Sequence, residues 1–439
     1  MPDPETGSPQ RMRIAYIMSR FPTLTETFIL NEMLAMESMG VDVELYPLLR
    51  ERQTVLHPDT ERWMRRAHYH SFISWPIVRA NLHFLRHRPR TYLCLWSEVL
   101  GKTWGSANFF IGALGIFPKS VRFAYEMQRR GVEHVHAHFA THPTVAALII
   151  HRLTGIPFSF TGHGSDVHVE RRMLDTKVEA ATFAVAVSEF NRGLMLDECG
   201  PEAAPKIHIL HCGVDTDTFS PGPRPRNGRP LRIVCVAALD EPKGHTYLIE
   251  ACRMLHERGM AFRCHLIGEG PFRREIEACI AHAELRGRVH LHGGLPAPSV
   301  ASMLRRADVA GLASQPVNNR FEGIPVALME AMSCALPVVA TSVGGIPELV
   351  EHERTGLVEP PGDAAAIADA LQRMADDRTL REEFGRRGRE RVLSEFDLHA
   401  NARKLFQMIT GPRAIGAAEP AEAAELDATP AVARGSRGG

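Results

Sequence analysis

Two glutamates, Glu322 and Glu330, stand eight positions apart in the stretch FEGIPVALMEAMSCALPVVAT. Gly323, Ile324 and Pro325 follow the first of them. Proline suits the first helical position, where its missing N–H would have no partner in any case. The spacing predicts a helix from Pro325 to Ala335 that stops before Pro337, with a strand Pro337–Thr341 after it. Glu322 then lies in the loop before the helix and Glu330 in its second turn. Between them lie free backbone N–H groups and the positive end of the helix dipole, which suit an anion such as a diphosphate. Carboxylates on either side accept hydrogen bonds from hydroxyls. The combination suits a ligand that carries both phosphates and sugars.

Breaking a sugar–diphosphate bond puts negative charge on the leaving group, so such a site also needs a cation. Lys243 in EPKG, followed by Gly244, is one candidate, and Arg320, two residues before Glu322, is another. Read alone, each is equally a solvated surface cation. His163 lies in SFTGHGSDVH, directly after an expected strand Pro157–Thr161. Its neighbours Gly162 and Gly164 allow close backbone approach, and loops at strand ends bind ligands in α/β folds. Asp166 reads as a cap for the next helix. His136 and His138 alternate on a strand end and read as structural or as supports of a cleft wall. Asp215 and Asp217 form a D-x-D, but turn and capping roles suffice for them. Gly268-Glu269-Gly270 begins like a dinucleotide fingerprint, yet Arg273 occupies the third glycine position, which argues against a nicotinamide site. There is no Walker A loop.

These residues need a scaffold. Strand signals fall at Arg13–Ser19, Val41–Pro47, Val132–Ala137, Pro157–Thr161, Phe183–Val187 and Ile207–Leu210. Thr23 and Glu26 read as a capping box for a helix running to Met39. Residues 50–130 contain helical patterns and no clear strand. The Pro-, Gly- and Arg-rich 220–230 reads as a linker. A second series follows at Leu231–Leu239, Arg263–Ile267, Val289–Leu291, Val309–Ala313, Pro337–Thr341 and Gly356–Val358, with helices at 363–376 and 397–409. Strand–helix alternation predicts an α/β fold with two doubly wound parallel sheets. The expected domains are 11–219 and 231–395, with a last helix at 396–410 and a disordered tail at 411–439.

Composition limits the partners. Lys+Arg and Asp+Glu both number 51, so overall charge gives no reason to expect nucleic acid. Eight scattered cysteines, without zinc spacing, read as reduced thiols of a cytoplasmic protein. The start MPDPETGSPQ is not a signal peptide, and the apolar run Phe109–Phe117 is too short to span a bilayer. Residues 61–90 hold seven arginines and one acidic residue, interleaved with Trp63, Phe72, Trp75 and Phe84. A basic, aromatic face of this kind suits an anionic membrane surface, although a solvated helix face would look similar.

The segments FPTLTETF (21–28), HVHAHFA (134–140), SFTGHGSDVH (159–168), GVD (213–215), EPKG (241–244), LIGEGP (266–271), the E-x7-E and GGIPELV (344–350) recur in one order. Together they resemble the retaining glycosyltransferases of family 4, which have the GT-B fold, and most of all their exopolysaccharide (colanic-acid-like) branch. The resemblance implies two Rossmann-like domains facing across a cleft, with the last helix crossing back to the first domain. It implies transfer of a hexose from a nucleotide sugar to a saccharide or lipid-linked saccharide acceptor, with no cofactor and no essential metal. By the same resemblance Glu322 and His163 carry the chemistry at the donor sugar, Lys243 meets the diphosphate and Glu330 holds the ribose. Gly323, Ile324, Pro325 and Arg320 would complete the donor site. One departure stands out: where the family writes G-R-L, this chain reads Ala237-Ala238-Leu239. Loss of that arginine would cost about 2–4 kcal/mol of leaving-group stabilisation unless another cation replaces it. Two other readings remain open: a nucleotide-sugar-binding protein that has lost catalysis, and a non-hydrolysing nucleotide-sugar epimerase of the same architecture.

Overall fold

A computed structural model of the chain describes residues 11–23, 26–51, 60–223 and 230–411. The first domain is a parallel sheet of β1 (Arg13–Phe21), β2 (Asp42–Arg50), β3 (His134–His138), β4 (Phe158–Gly162), β5 (Phe183–Ala186) and β6 (Ile207–Ile209), in the order β2-β1-β3-β4-β5-β6. The second is a parallel sheet of β7 (Leu231–Val236), β8 (Phe262–Ile267), β9 (Val289–Leu291), β10 (Val309–Leu312), β11 (Val338–Thr341) and β12 (Gly356–Glu359), in the order β12-β11-β10-β7-β8-β9. The strands are mostly buried, as helices on both faces require. Strand order reverses between β1 and β3 in one sheet and between β7 and β10 in the other. Ligands bind beyond the strand ends at such switch points. The loops after β7 and β10 carry Lys243 and Glu322.

Residues 60–130 form helices Thr60–Arg66, Trp75–His87, Pro89–Thr103 and Ala107–Arg130. The expected capping box at Thr23 is displaced: the helix is Thr27–Ser38, with Glu26 at the cap position and no side-chain cap bond. Burial pushes the Glu26 carboxyl up to about 7, so it is a poor anionic cap. The expected linker lies in part, at 224–229, and the expected tail almost wholly, from 412, outside the described residues.

The chain returns to the first domain at a close crossing. Val214 N–H donates to the Phe396 carbonyl, and Leu398 N–H donates to the Val214 carbonyl. A Cβ on Gly213 would lie 2.3 Å from Leu398 Cα, so glycine is required there. Asp397 caps helix Leu398–Thr410, which packs against Thr27–Ser38 through Ala35, Leu398 and Ala402. All eight cysteines are free.

Candidate active site

The loop after β10 is shaped by local sequence. Val317 and Arg320 exchange both backbone hydrogen bonds around Asn318 and Asn319, whose φ values are +49° and +58°. Two asparagines tolerate this left-handed turn better than most residues. The turn sets Arg320 and leads into Glu322. The helix beyond it is Val326–Ser333, with Pro325 at its cap. It ends two residues earlier than expected because Ala335 takes a left-handed φ of +56° before Leu336 and Pro337.

Lys243 Nζ donates to both Glu322 oxygens at 2.8 Å, and Ser314 Oγ donates to Glu322 Oε1 at 2.8 Å. Glu322 is buried and Lys243 is partly exposed. Backbone contacts hold this pair. Gln315 N–H donates to the Pro242 carbonyl, and a Cβ on Gly244 would lie 1.7 Å from the Ala313 carbonyl oxygen. Gly345 N–H donates to the carbonyls of Glu322 and Gly323. At Gly344, whose φ is +57°, a Cβ would lie 1.9 Å from the Glu322 carbonyl oxygen. The two glycines of GGIPELV thus seat the start of the E-x7-E.

Glu330 is half-buried; its carbonyl accepts from Cys334 N–H, and among the described residues its carboxylate has no hydrogen-bond partner. Desolvation pushes its carboxyl up to about 8. Arg320 lies on the Lys243 loop, but its Nη1 donates to Asp240 Oδ2 at 2.8 Å. The cation expected to point at the diphosphate is therefore already paired. Ala238 lies in a loop pressed against LIGEGP, where a Cβ on Gly268 would meet the Ala237 carbonyl oxygen at 1.9 Å.

On the first domain the His163 ring is enclosed by Phe28, Phe139 and His138. Its Nε2 is 3.0 Å from His138 Nδ1, and its Nδ1 is 3.7 Å from Cys212 Sγ. Burial pushes the ring down to about 3 and the Cys212 thiol up to about 12, so both are neutral at pH 7. The main-chain carbonyl of His163 meets the other domain. A Cβ on Gly323 would lie 2.7 Å from the His163 oxygen. Asp166 was expected to cap the helix that follows. It accepts instead from the N–H groups of His163, Gly164 and Ala140, fixing the preceding loop.

Three side chains that the sequence did not single out complete the arrangement. Ser314 supports Glu322. His168 Nδ1 accepts from Phe321 N–H at 3.3 Å across the domains. Glu348 accepts from the N–H groups of Glu189 and Phe190 at 2.6 and 2.8 Å, closing the domains at the start of helix Glu189–Cys199. A cavity of about 690 Å³ opens beside these contacts, lined by Lys102, Ser106, His168, Arg172 and Asn319 among others.

The profile of the family described as "Glycosyl transferases group 1" matches residues 217–391, and that of "Glycosyltransferase Family 4" matches residues 106–218. Over 419 residues the chain is 30% identical to the putative colanic acid biosynthesis glycosyltransferase WcaL of Escherichia coli (strain K12), covering 91% of this chain and 99% of that protein. The chain belongs to glycosyltransferase family 4. It is also 27% identical over 412 residues to the amylovoran biosynthesis glycosyltransferase AmsK of Erwinia amylovora, covering 91% of this chain and 99% of that one. A crystal structure of a glycosyltransferase from Rickettsia africae ESF-5 superposes with a TM-score of 0.69 at 16% identity, over 92% of this chain and all (100%) of that one. Anabaena Alr3699/HepE in complex with UDP and glucose gives 0.67 at 15% identity, over 91% of this chain and 100% of that one. The fold is GT-B.

Asp215 accepts from the N–H groups of Asp217 and Thr218 and from the Thr218 hydroxyl, so the D-x-D closes a turn. Among the described residues, one set of side chains could surround a cation: Glu32, His136 and His138. Both His136 nitrogens already face hydroxyls, Nδ1 at Ser159 and Nε2 at Thr161.

Proposed function

We propose that this family 4 enzyme transfers a hexose, with retention of configuration, from a nucleoside-diphosphate sugar to a lipid-linked saccharide in exopolysaccharide assembly. The observation that carries this reading is the triad of Lys243, Glu322 and Glu330 around the start of helix Val326–Ser333, at the switch point of the second sheet. The diphosphate would lie on the free N–H groups of the helix start beside Lys243. Glu330 would accept from the ribose and Glu322 from sugar hydroxyls. His163 would close the donor site from the first domain. The acceptor would enter through the cavity lined by Lys102, Arg172 and Asn319.

In front-face transfer the anomeric carbon–oxygen bond to the diphosphate breaks as the acceptor oxygen bonds to the same face. The acceptor proton passes to the departing phosphate oxygen. Lys243 stabilises the charge that develops there, and the step as drawn calls on no metal. We place the enzyme in the cytoplasm, peripheral to the membrane, with the 61–90 side toward the lipid. No described helix is long and apolar enough to cross a membrane.

The test is incubation with UDP- and GDP-sugars and a polyprenyl-diphosphate saccharide, following nucleotide release and the product's anomeric configuration by NMR. Acceptor-dependent release with a retained linkage is expected. Donor conversion without acceptor would mean an epimerase. Nucleotide-sugar binding without transfer would mean a protein that has lost catalysis.

A further inference from the structure

The described part of the chain exposes fourteen large apolar side chains, and ten of them fall between Phe72 and Leu114. On helix Trp75–His87 they form one stripe: Trp75, Val78, Leu82 and Leu85 recur at three- and four-residue steps, while Ile77, Ala80 and Phe84 face the core. Arg79 and Arg86 flank the stripe on the same helix face. A second exposed pair, Ile111 and Leu114, lies on helix Ala107–Arg130. The two groups are neighbours. The Phe72 ring would lie 3.3 Å from a Cβ on Gly115, Asn81 Nδ2 donates to the Pro118 carbonyl, and His83 packs edge-on against Tyr125. Those three contacts align the helices in one direction and set Phe72, the neighbour of Ile73, against Gly115, the neighbour of Leu114. Ile73 is 88% exposed and Trp75 72%. So large an apolar surface marks an interaction site.

We infer that this face is where the protein docks on an anionic lipid bilayer. Charge favours lipid over another protein surface. Residues 72–115 hold five Lys/Arg and one acidic residue. Among the described residues, Arg79, Arg86 and Arg90 pair with no carboxylate. Tryptophan and arginine around an apolar stripe match the headgroup boundary of a membrane. The basic residues nearer the start of the region are engaged elsewhere: Arg62 and Arg66 both pair with Glu37, and Trp63 is fully buried. The membrane-facing surface therefore shifts from the arginines at 62–66 to the helices at 72–114. Trp104, also 72% exposed, adjoins Gly105 and Ser106 in the lining of the cavity that reaches Asn319, three residues before Glu322. A lipid-borne acceptor would thus be delivered at the cavity mouth, which deepens the peripheral-membrane part of the function above and rests on it.

The test is co-sedimentation of the whole chain with phosphatidylcholine vesicles, with and without phosphatidylglycerol, in the absence of any donor. Wild type should bind the phosphatidylglycerol vesicles and lose binding as salt rises. Ile73→Ser/Trp75→Ser/Leu82→Ser should weaken binding at least about tenfold. Arg79→Gln/Arg86→Gln/Arg90→Gln should weaken it roughly a hundredfold. These side chains are exposed, so unchanged melting temperatures are expected. Wild type that ignores anionic vesicles at low salt, or a serine variant that binds normally, overturns the proposal. So does a lipid-free dimer in sedimentation velocity that the serine variant abolishes, because the face would then be a self-interface. Nucleotide-sugar binding, measured without lipid, tests the donor site separately.

Discussion

Lys243 Nζ lies 2.8 Å from both carboxylate oxygens of Glu322, so the cation assigned to the diphosphate is held by the carboxylate assigned to the sugar. A donor entering this site must share both groups, and each substitution has its own signature. Lys243→Ala should lower transfer by about a hundredfold to a thousandfold through lost leaving-group stabilisation. It should also cost about 1–3 kcal/mol of stability, because buried Glu322 keeps only Ser314 as a side-chain partner. Glu322→Gln leaves Lys243 free for phosphate, so nucleotide affinity should hold while transfer falls. Calorimetry with nucleotide and an initial-rate assay check both. Normal turnover in Lys243→Ala would remove the lysine from the site.

Arg320 raises a separate question, because it pairs with Asp240 rather than standing free. If its only role is to tie two loops together, Arg320→Ala and Asp240→Asn should cost the same, and the double variant no more than either. If it also serves the diphosphate in place of the arginine missing at Ala238, Arg320→Ala should cost more than Asp240→Asn, and Ala238→Arg should recover part of the loss. We expect the second pattern, with a gap of about tenfold in kcat/KM, from a charge-assisted hydrogen bond to phosphate. A double-mutant cycle in kcat/KM decides between them.

The alternation of apolar strands with helices made both sheets legible in the sequence, and the E-x7-E with its proline marked the helix start beside Glu322. Other features needed long-range contacts. Helix Arg378–Glu395 went unread because its periodicity is charged rather than apolar; it is laced by i,i+4 pairs such as Arg386–Glu390 and Arg387–Glu383. Ser314 and Glu348 carry no motif of their own, and only the fold brings them to Glu322 and to Phe190. His163 was found by its glycine-flanked loop, but nothing local foretells that His138 and Cys212 occupy its ring. Trp63 and Trp75 look alike in a basic stretch, yet one is buried and the other exposed.

Gly323 offers a test of domain closure. Its Cα faces the His163 carbonyl so closely that a Cβ would lie 2.7 Å from the oxygen, and that backbone is fixed by Asp166. Gly323→Ala should therefore hold the domains apart without unfolding either one. The variant should melt within a few degrees of wild type and bind nucleotide alone normally, while kcat drops at least tenfold because the first domain no longer completes the site. Small-angle scattering should show a larger radius of gyration with donor present. Unchanged kcat would mean that closure in this region does not limit the reaction.

Stability should respond to pH in opposite senses at two places, the histidine cluster of the first domain and Glu330 of the second. In the first, burial lowers His134 to about 4 and His138 and His163 to about 3, and His136 shifts the same way. An unfolded chain takes up those protons below about 6.5, the native state only near the lowered values, so stability is lost as pH falls below about 6.5. In the second, Glu330 is raised to about 8, so the native state keeps a proton that the unfolded state releases. Its contribution is fully present below the ordinary carboxylate value and is lost as pH rises toward 8. Glu330→Gln removes that titration. The variant should gain stability relative to wild type between about pH 5 and 8, then hold a constant lead, while losing affinity for the nucleoside part of the donor. Melting curves of both proteins from acid to mildly alkaline pH provide the check. Parallel wild-type and variant curves would mean that Glu330 is ionised in the free protein, and that the ribose meets a carboxylate already charged.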